Sequence, residues 1–288
     1  KMKDKILIFF TIFLIFLFPL SFLIEKKQNF IKTYETSFLN PENDKEIEKI
    51  IVETPETSLI LKNEGGFFTG NSNEKNCDFP ADQKIVENFI QILKKIRKIT
   101  KAESSGTILN EKNYEFKISY QLKNGKTTSI LVGKTDITET KRFVKIPSSS
   151  GTFKTEADFS PFLTTSADFW VCPEIVWNFG NSKVSSEQIQ KISLIKNGKR
   201  KTLIPSSKDF IKKAETVISL RHGKICPKPE ISENQEFLEV EFSDSRLLLK
   251  IIPFKEDYIL TYKNNHCDFS AEISGWTYGR LMEVFSES

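Results

Sequence analysis

The first pattern along the chain is a run from Ile6 to Ile24 without a single charged residue. As a helix such a run spans about 28 Å, close to the roughly 30 Å hydrocarbon core of a bilayer. Lys1, Lys3 and Lys5 precede it, and Glu25, Lys26 and Lys27 close it. No Ala-x-Ala cleavage pattern follows Pro19. The pattern predicts an uncleaved anchor, and the basic N-terminal flank predicts that this end stays in the cytoplasm. The expected placement is a single-pass inner-membrane protein with an extracytoplasmic soluble region. Residues 1–24 are then the cytoplasmic tip and anchor, and residues 25–46 a polar stalk.

Beyond residue 46 the periodicity changes. Ile50 to Val52 and Ser58 to Leu61 read as short strands, with a turn at Asn63-Glu64-Gly65-Gly66. Pro80 and Asp82 then suit the start of a helix. Ile85, Val86, Phe89, Ile90, Leu93 and Ile96 follow at helical spacing, an apolar stripe for covering a sheet. Tyr114 to Tyr120 alternates, Asn124-Gly125 turns, and Thr127 to Val132 returns as a strand. A similar order begins near Val184. Gln188 to Ile195 and Lys201 to Ile204 flank an Asn197-Gly198 turn, and a helix stripe runs from Phe210 to Ile218. Three more strands follow, and Trp276, Leu281, Met282 and Phe285 fall at helical spacing. Asp158-Phe159-Ser160 is repeated literally as Asp268-Phe269-Ser270. These runs predict an α+β fold: a duplicated unit of antiparallel strands, a long amphipathic helix and a short aromatic helix, over residues 47–180 and 181–288.

Composition narrows the function classes. The soluble region of roughly 260 residues suffices for one large core or two domains. With 39% hydrophobic and 12% aromatic residues it is too apolar for a disordered chain. The 42 basic and 38 acidic residues nearly balance, which speaks against nucleic acid as a partner. The basic runs Lys94 to Lys98 and Lys196 to Lys201 read as a solvated helix face and a hairpin turn.

Candidate chemistry is sparse. Cys77, Cys172, Cys226 and Cys267 are an even set without a CxxC pair. In an oxidising compartment they are candidate disulfides, and within-half pairing, 77 with 172 and 226 with 267, is the simplest of three connectivities. His222 and His266 sit in no metal-binding or catalytic pattern. Asp158 and Asp268 read as helix caps. No phosphate loop, dinucleotide fingerprint, nucleophile elbow or calcium loop is present. The sequence therefore predicts no catalytic residue, cofactor or metal, and a non-enzymatic role. Trp170, Trp177 and Trp276 are candidate interface residues, with core packing the alternative.

Several segments occur together in one order: ETSLILKNEGGFF, PADQKIVENFIQILKKI, ILVGKTD, RFVKI and ADFSPFL, over residues 56–163. In this order the chain resembles an uncharacterised bacterial family of membrane-anchored domains of unknown function. Phe67 or Phe68 stands where that family's pattern has Trp, while Pro80-Ala81-Asp82 and Leu131-Val132-Gly133-Lys134 match it. Members are often encoded beside gliding-motility or export-type ABC transporter components. The resemblance implies a membrane-tethered accessory or structural subunit of a transporter or cell-envelope complex, with a permease or other envelope protein as partner. It brings no catalytic residues. The alternative is an extracytoplasmic binding module for a peptide, glycan or small molecule, which a pocket between the two units would favour.

Overall fold

The computed structural model describes residues 38–39, 46–96, 99–101, 109–135, 141–147, 152–155, 158–178, 184–229, 235–264 and 266–286. The first half of the chain contributes β1 (Ile47–Glu53), β2 (Ser58–Glu64), β3 (Phe67–Ser72) and β4 (Cys77–Pro80), then helix α1 (Gln83–Lys95). After it come β5 (Ile99–Lys101), β6 (Phe116–Leu122), β7 (Thr127–Thr135), β8 (Arg142–Lys145), β9 (Phe153–Thr155) and the one-turn helix α2 (Ala167–Trp170). The second half contributes β10 (Ile189–Lys196), β11 (Lys199–Leu203) and α3 (Phe210–Ser219). It continues with β12 (Ile225–Cys226), β13 (Glu236–Phe242), β14 (Arg246–Phe254), β15 (Asp257–Lys263), β16 (Asp268–Ile273) and α4 (Gly275–Val284).

Among the described residues these strands form one 16-stranded antiparallel sheet. Its path is β11-β10-β13-β14-β15-β16-β4-β3-β2-β1-β6-β7-β8-β9-β5, with β12 beside β16. The neighbour order β2-β1-β6-β7-β8-β9-β5 recurs as β11-β10-β13-β14-β15-β16-β12.

A shared bulge explains how the inner strands face the core. The register of β1 against β6 shifts between Ile47 and Lys49, and that of β10 against β13 shifts between Ile189 and Lys191. One extra residue reverses the side-chain parity of a strand. Hence Ile47, Ile50 and Val52 are all buried, as are Ile189, Ile192 and Leu194, although strict alternation would send one of each set to solvent. Turn chemistry sets the outer hairpin: Asn197 and Gly198 both hold positive φ, 48° and 73°, as a two-residue hairpin turn requires.

Asp82 starts α1. Its carboxylate accepts from the backbone N–H groups of Lys84 and Ile85 at 2.9 and 3.3 Å, which satisfies two of the helix's free donors. Val86, Phe89, Ile90 and Leu93 form the buried stripe. Phe89 stacks on Phe162 and meets the edge of Trp170, which seats α2 against α1.

Two expectations are corrected here. The α+β fold organised around a long amphipathic helix does not fit: the chain is mostly antiparallel sheet. The longest helix among the described residues is α1, at 13 residues about 20 Å long. The reason lies in segments whose polar-aromatic starts resemble helix caps. Cys77–Pro80 and Asp268–Ile273 are strands, and their backbone groups pair with neighbours rather than within a helical turn.

The single-pass, inner-membrane placement is the second correction. No helix among the described residues is long and apolar enough to cross a membrane. The expected anchor at Ile6–Ile24 lies outside the described residues, as does most of the expected stalk. Of that stalk, Phe38 and Leu39 are buried against the sheet. The Phe38 carbonyl accepts from the Tyr120 hydroxyl at 2.7 Å.

Gly70 marks a close cross-strand approach. It lies opposite Phe79, and a Cβ built there would stand 2.3 Å from the Phe79 ring. Phe79 is fully buried and has no room to withdraw. Gly70→Ala is expected to lower stability by about 1–3 kcal/mol, read as a urea midpoint shift at constant m-value. Combining it with Phe79→Leu should recover part of that loss in a double-mutant cycle; simple additivity would show that the contact is not the cause.

Candidate functional site

The halves meet weakly along the sheet itself, since β4 and β16 pair only at Asp78 and Asp268. A crossing segment, Val171 to Trp177, makes up the difference. On one side Val171 bridges Ala81, and the Cys172 N–H donates to the Pro80 carbonyl at 2.8 Å. On the other, the Ile175 N–H donates to the Leu220 carbonyl at 3.0 Å and the His222 N–H to the Pro173 carbonyl at 2.9 Å. Asp168 of α2 reaches across as well and accepts from the Ile225 N–H at 2.7 Å.

Beside this segment lies a cleft of about 390 Å³. Phe67, Val176, Val184 and Ile218 supply apolar wall. Asp82, Lys84, Glu174 and Arg221 supply charge. The acids are engaged: Asp82 caps α1, and Glu174 accepts from Arg221 at 3.2 Å and from the Cys172 thiol at 3.4 Å. Arg221 is nonetheless largely solvent-facing, with 68% of its side chain exposed. Trp177 also lines the cleft, and its indole N–H, shut away from solvent, has no hydrogen-bond partner among the described residues. Its ring is fixed from behind by Tyr262, edge-on at 4.9 Å.

Gln83 secures the wall nearest α1. Its side-chain oxygen accepts from the Phe68 N–H at 2.8 Å, and its amide donates to the carbonyls of Phe68 and Ala81 at 3.0 and 2.6 Å. His222, buried behind the crossing segment, has its ring nitrogens each 2.7 Å from a carbonyl oxygen, Nδ1 from Gly223 and Nε2 from Cys172. Burial pushes its pKa below the ordinary value, and the two carbonyls pull the other way without reversing the shift.

A second concavity of about 440 Å³ lies between the β10–β11 hairpin and the end of α4, with Lys196, Lys199 and Lys201 beside Met282 and Phe285. Two of its cations are occupied: Lys196 meets Glu236 at 2.8 Å, and Lys201 donates to the Phe285 carbonyl at 3.1 Å.

The residues singled out from sequence scatter. Trp170 is fully buried among Phe89, Phe162 and Phe169. Trp276 is 71% exposed at the start of α4. Trp177 alone of the three reaches the cleft. Asp158 accepts from the Ser160 N–H, Asp268 pairs with Lys228, and His266 lies 2.5 Å from Glu64.

The disulfide expectation is corrected: all four cysteines are free. Cys77 begins β4 while the Cys172 N–H bonds Pro80 at its far end, an offset of three residues or roughly 10 Å. Cys226 pairs with Ser270, again three residues along from Cys267. Both offsets exceed the reach of a disulfide. Burial leads the causes that raise the pKa of Cys77 and Cys226, each to about 11, so these thiols stay protonated at neutral pH. Glu174, Arg221, Lys84 and Gln83 went unrecognised in the sequence. Glu174 and Arg221 are 47 positions apart and belong to no local pattern.

Fold and cleft together define a protein of mostly antiparallel sheet with a ligand-sized concavity where its halves cross. The family model described as a domain of unknown function (DUF4340) matches residues 74–217, half of the 288-residue chain, and the chain belongs to that family. The matched span includes β4, α1 and the whole crossing segment. No curated protein and no solved structure matches the chain.

Two outcomes are expected. Gln83→Leu strands the buried Phe68 N–H, at a cost of about 1–3 kcal/mol in urea unfolding. A loss below measurement error would mean the clamp is dispensable. For His222 the unfolded chain, with the ordinary pKa of 6.5, takes up a proton before the folded chain does. Its contribution is complete above that value and is lost as pH falls below it toward the folded pKa. Unfolding midpoints measured from pH 7.5 down to 5 should therefore fall more steeply in the wild type than in His222→Gln. Parallel curves would remove His222 from the balance.

Proposed function

We propose that this protein is a non-enzymatic binding module and that the cleft beside the crossing segment receives its ligand. The observation that carries this reading is how the cleft is built. A concavity of about 390 Å³ sets apolar side chains beside charged and polar groups that their own partners hold in place. The test is a titration of the ¹⁵N-labelled protein with pooled short peptides, oligosaccharides and small organic ions, following the Trp177 indole resonance. A saturable shift is expected from at least one pool. No shift from any pool at millimolar concentration would overturn the reading.

A second reading concerns placement in a larger assembly. The order of segments that resembles families encoded beside gliding-motility or export-type ABC transporter components supports an accessory or structural role there. A permease or another envelope protein would be the partner. Cross-linking at native expression levels, followed by mass spectrometry, is expected to recover such a partner. Recovery of the protein alone, before and after cross-linking, would sink the accessory role and leave ligand binding to stand by itself.

A further inference from the structure

We infer that the cleft takes a small molecule bearing a carboxylate on an apolar body. This rests on the binding reading above and adds the chemical class. The charges of the cleft are unequal in availability. Asp82 is committed to the Lys84 and Ile85 amides, and both oxygens of Glu174 have partners in Arg221 and the Cys172 thiol. The cations are not committed to the same degree. Lys84 is exposed and has no ion-pair partner among the described residues. Arg221 meets Glu174 through one terminal nitrogen at 3.2 Å, and the guanidinium has further N–H groups to offer. An incoming anion thus finds donors open, whereas an incoming cation would have to displace existing bonds.

The backbone adds one further donor on the same wall. The N–H of Gln83, first residue of the 13-residue α1, has no intrahelical acceptor, and Gln83 lines the cleft. Trp177 lines the same cleft and is only 3% exposed, which makes its indole signal a local reporter of what the cleft holds. Donors without matching free acceptors select an acceptor-only group, and a carboxylate is the simplest one. The remainder of the wall selects the rest of the ligand. Phe67, Val176, Val184 and Ile218 offer apolar surface, which holds a hydrocarbon or aromatic body and gives no hydrogen bond to a polyol.

The experiment compares octanoate, octanol and octylamine, which share a chain and differ in the head group. Each is titrated into the ¹⁵N-labelled full chain, with the Trp177 indole signal assigned by loss of the other two in Trp170→Phe and Trp276→Phe. Octanoate is expected to shift that signal saturably and to bind more tightly than either analogue. Arg221→Met and Lys84→Met lie on exposed side chains and leave the fold unchanged. Each should weaken octanoate about tenfold while leaving octanol within about twofold, since a hydrogen bond to a charged group is lost in one case only. Octanol or octylamine binding at least as tightly at the Trp177 signal would overturn the carboxylate assignment and keep the binding reading. A response to none of the three, with a response to a peptide or oligosaccharide pool, overturns the assignment in the same way. Silence toward every pool would overturn both.

Discussion

Hydrogen bonding of backbone across the joint is the constraint on which the rest of this molecule depends. A sheet that continues from one half into the other through a single paired position, Asp78 with Asp268, leaves strand ends and carbonyls without partners. The crossing segment supplies them on both flanks, to Pro80 and Ala81 on one side and to Leu220 and His222 on the other. Each such bond is worth only about 0.5–1.5 kcal/mol net. Their absence would cost more, because the groups are shut away from water. Side-chain packing follows the same line: Trp177 presses into Tyr262 and Phe269, and Trp170 into Phe89.

The two halves share a backbone plan and differ in what they do with it. Both bury the same triplet of positions on the first strand through the same bulge. Yet at the matching position of the next strand one half has Ser119 and the other Glu239, which face Ile51 and Ser193 respectively. Ser119 shares a short hydrogen bond with Ser129 and involves no charge. Glu239 is a carboxylate only 1% exposed, held between the guanidinium groups of Arg200 and Arg246. Desolvating that carboxylate costs several kcal/mol, offset only while both arginines stay in place. The first arrangement asks little of its surroundings. The second fixes β11, β13 and β14 to one another, because its charges tolerate no other partner.

What the sequence reveals of this fold divides along physical lines. Alternation is visible where one face is wet, so Tyr114 to Tyr120 and Phe237 to Phe242 announce strands, and Asn197-Gly198 announces its turn. The stripe from Val86 to Leu93 announces α1. Strands at the joint were hidden. Cys77–Pro80 is only four residues long and ends on a proline, Asp268–Ile273 alternates but is short, and each carries an Asp-Phe pair that mimics a helix cap. Reading them as approaches to helices tilted the balance toward α+β, when their pairing makes the chain mostly sheet. The cleft was less legible still. Trp177 drew notice as an aromatic, but Lys84, Glu174 and Arg221 are ordinary surface residues in sequence. Only the crossing segment brings them together.

His222 ties this joint to the cleft in a way no inventory of contacts conveys. Two carbonyls face its ring, and both would be satisfied by an imidazolium with two N–H groups. Charge-assisted bonds of that kind are worth about 1.5–3 kcal/mol each. A buried charge without a counter-ion in contact loses several kcal/mol of hydration. Burial prevails in this site, so the ring is neutral near pH 7 and holds one proton for two acceptors. Donated from Nε2, that proton binds the Cys172 carbonyl and fastens the crossing segment to the second half. Donated from Nδ1, it closes a local contact with Gly223 and leaves the segment to its backbone bonds. The tautomer therefore sets which of the two carbonyls the ring's single proton joins. Cys172 also lines the cleft, so one residue of the crossing segment faces His222 through its carbonyl and belongs to the cleft wall as well.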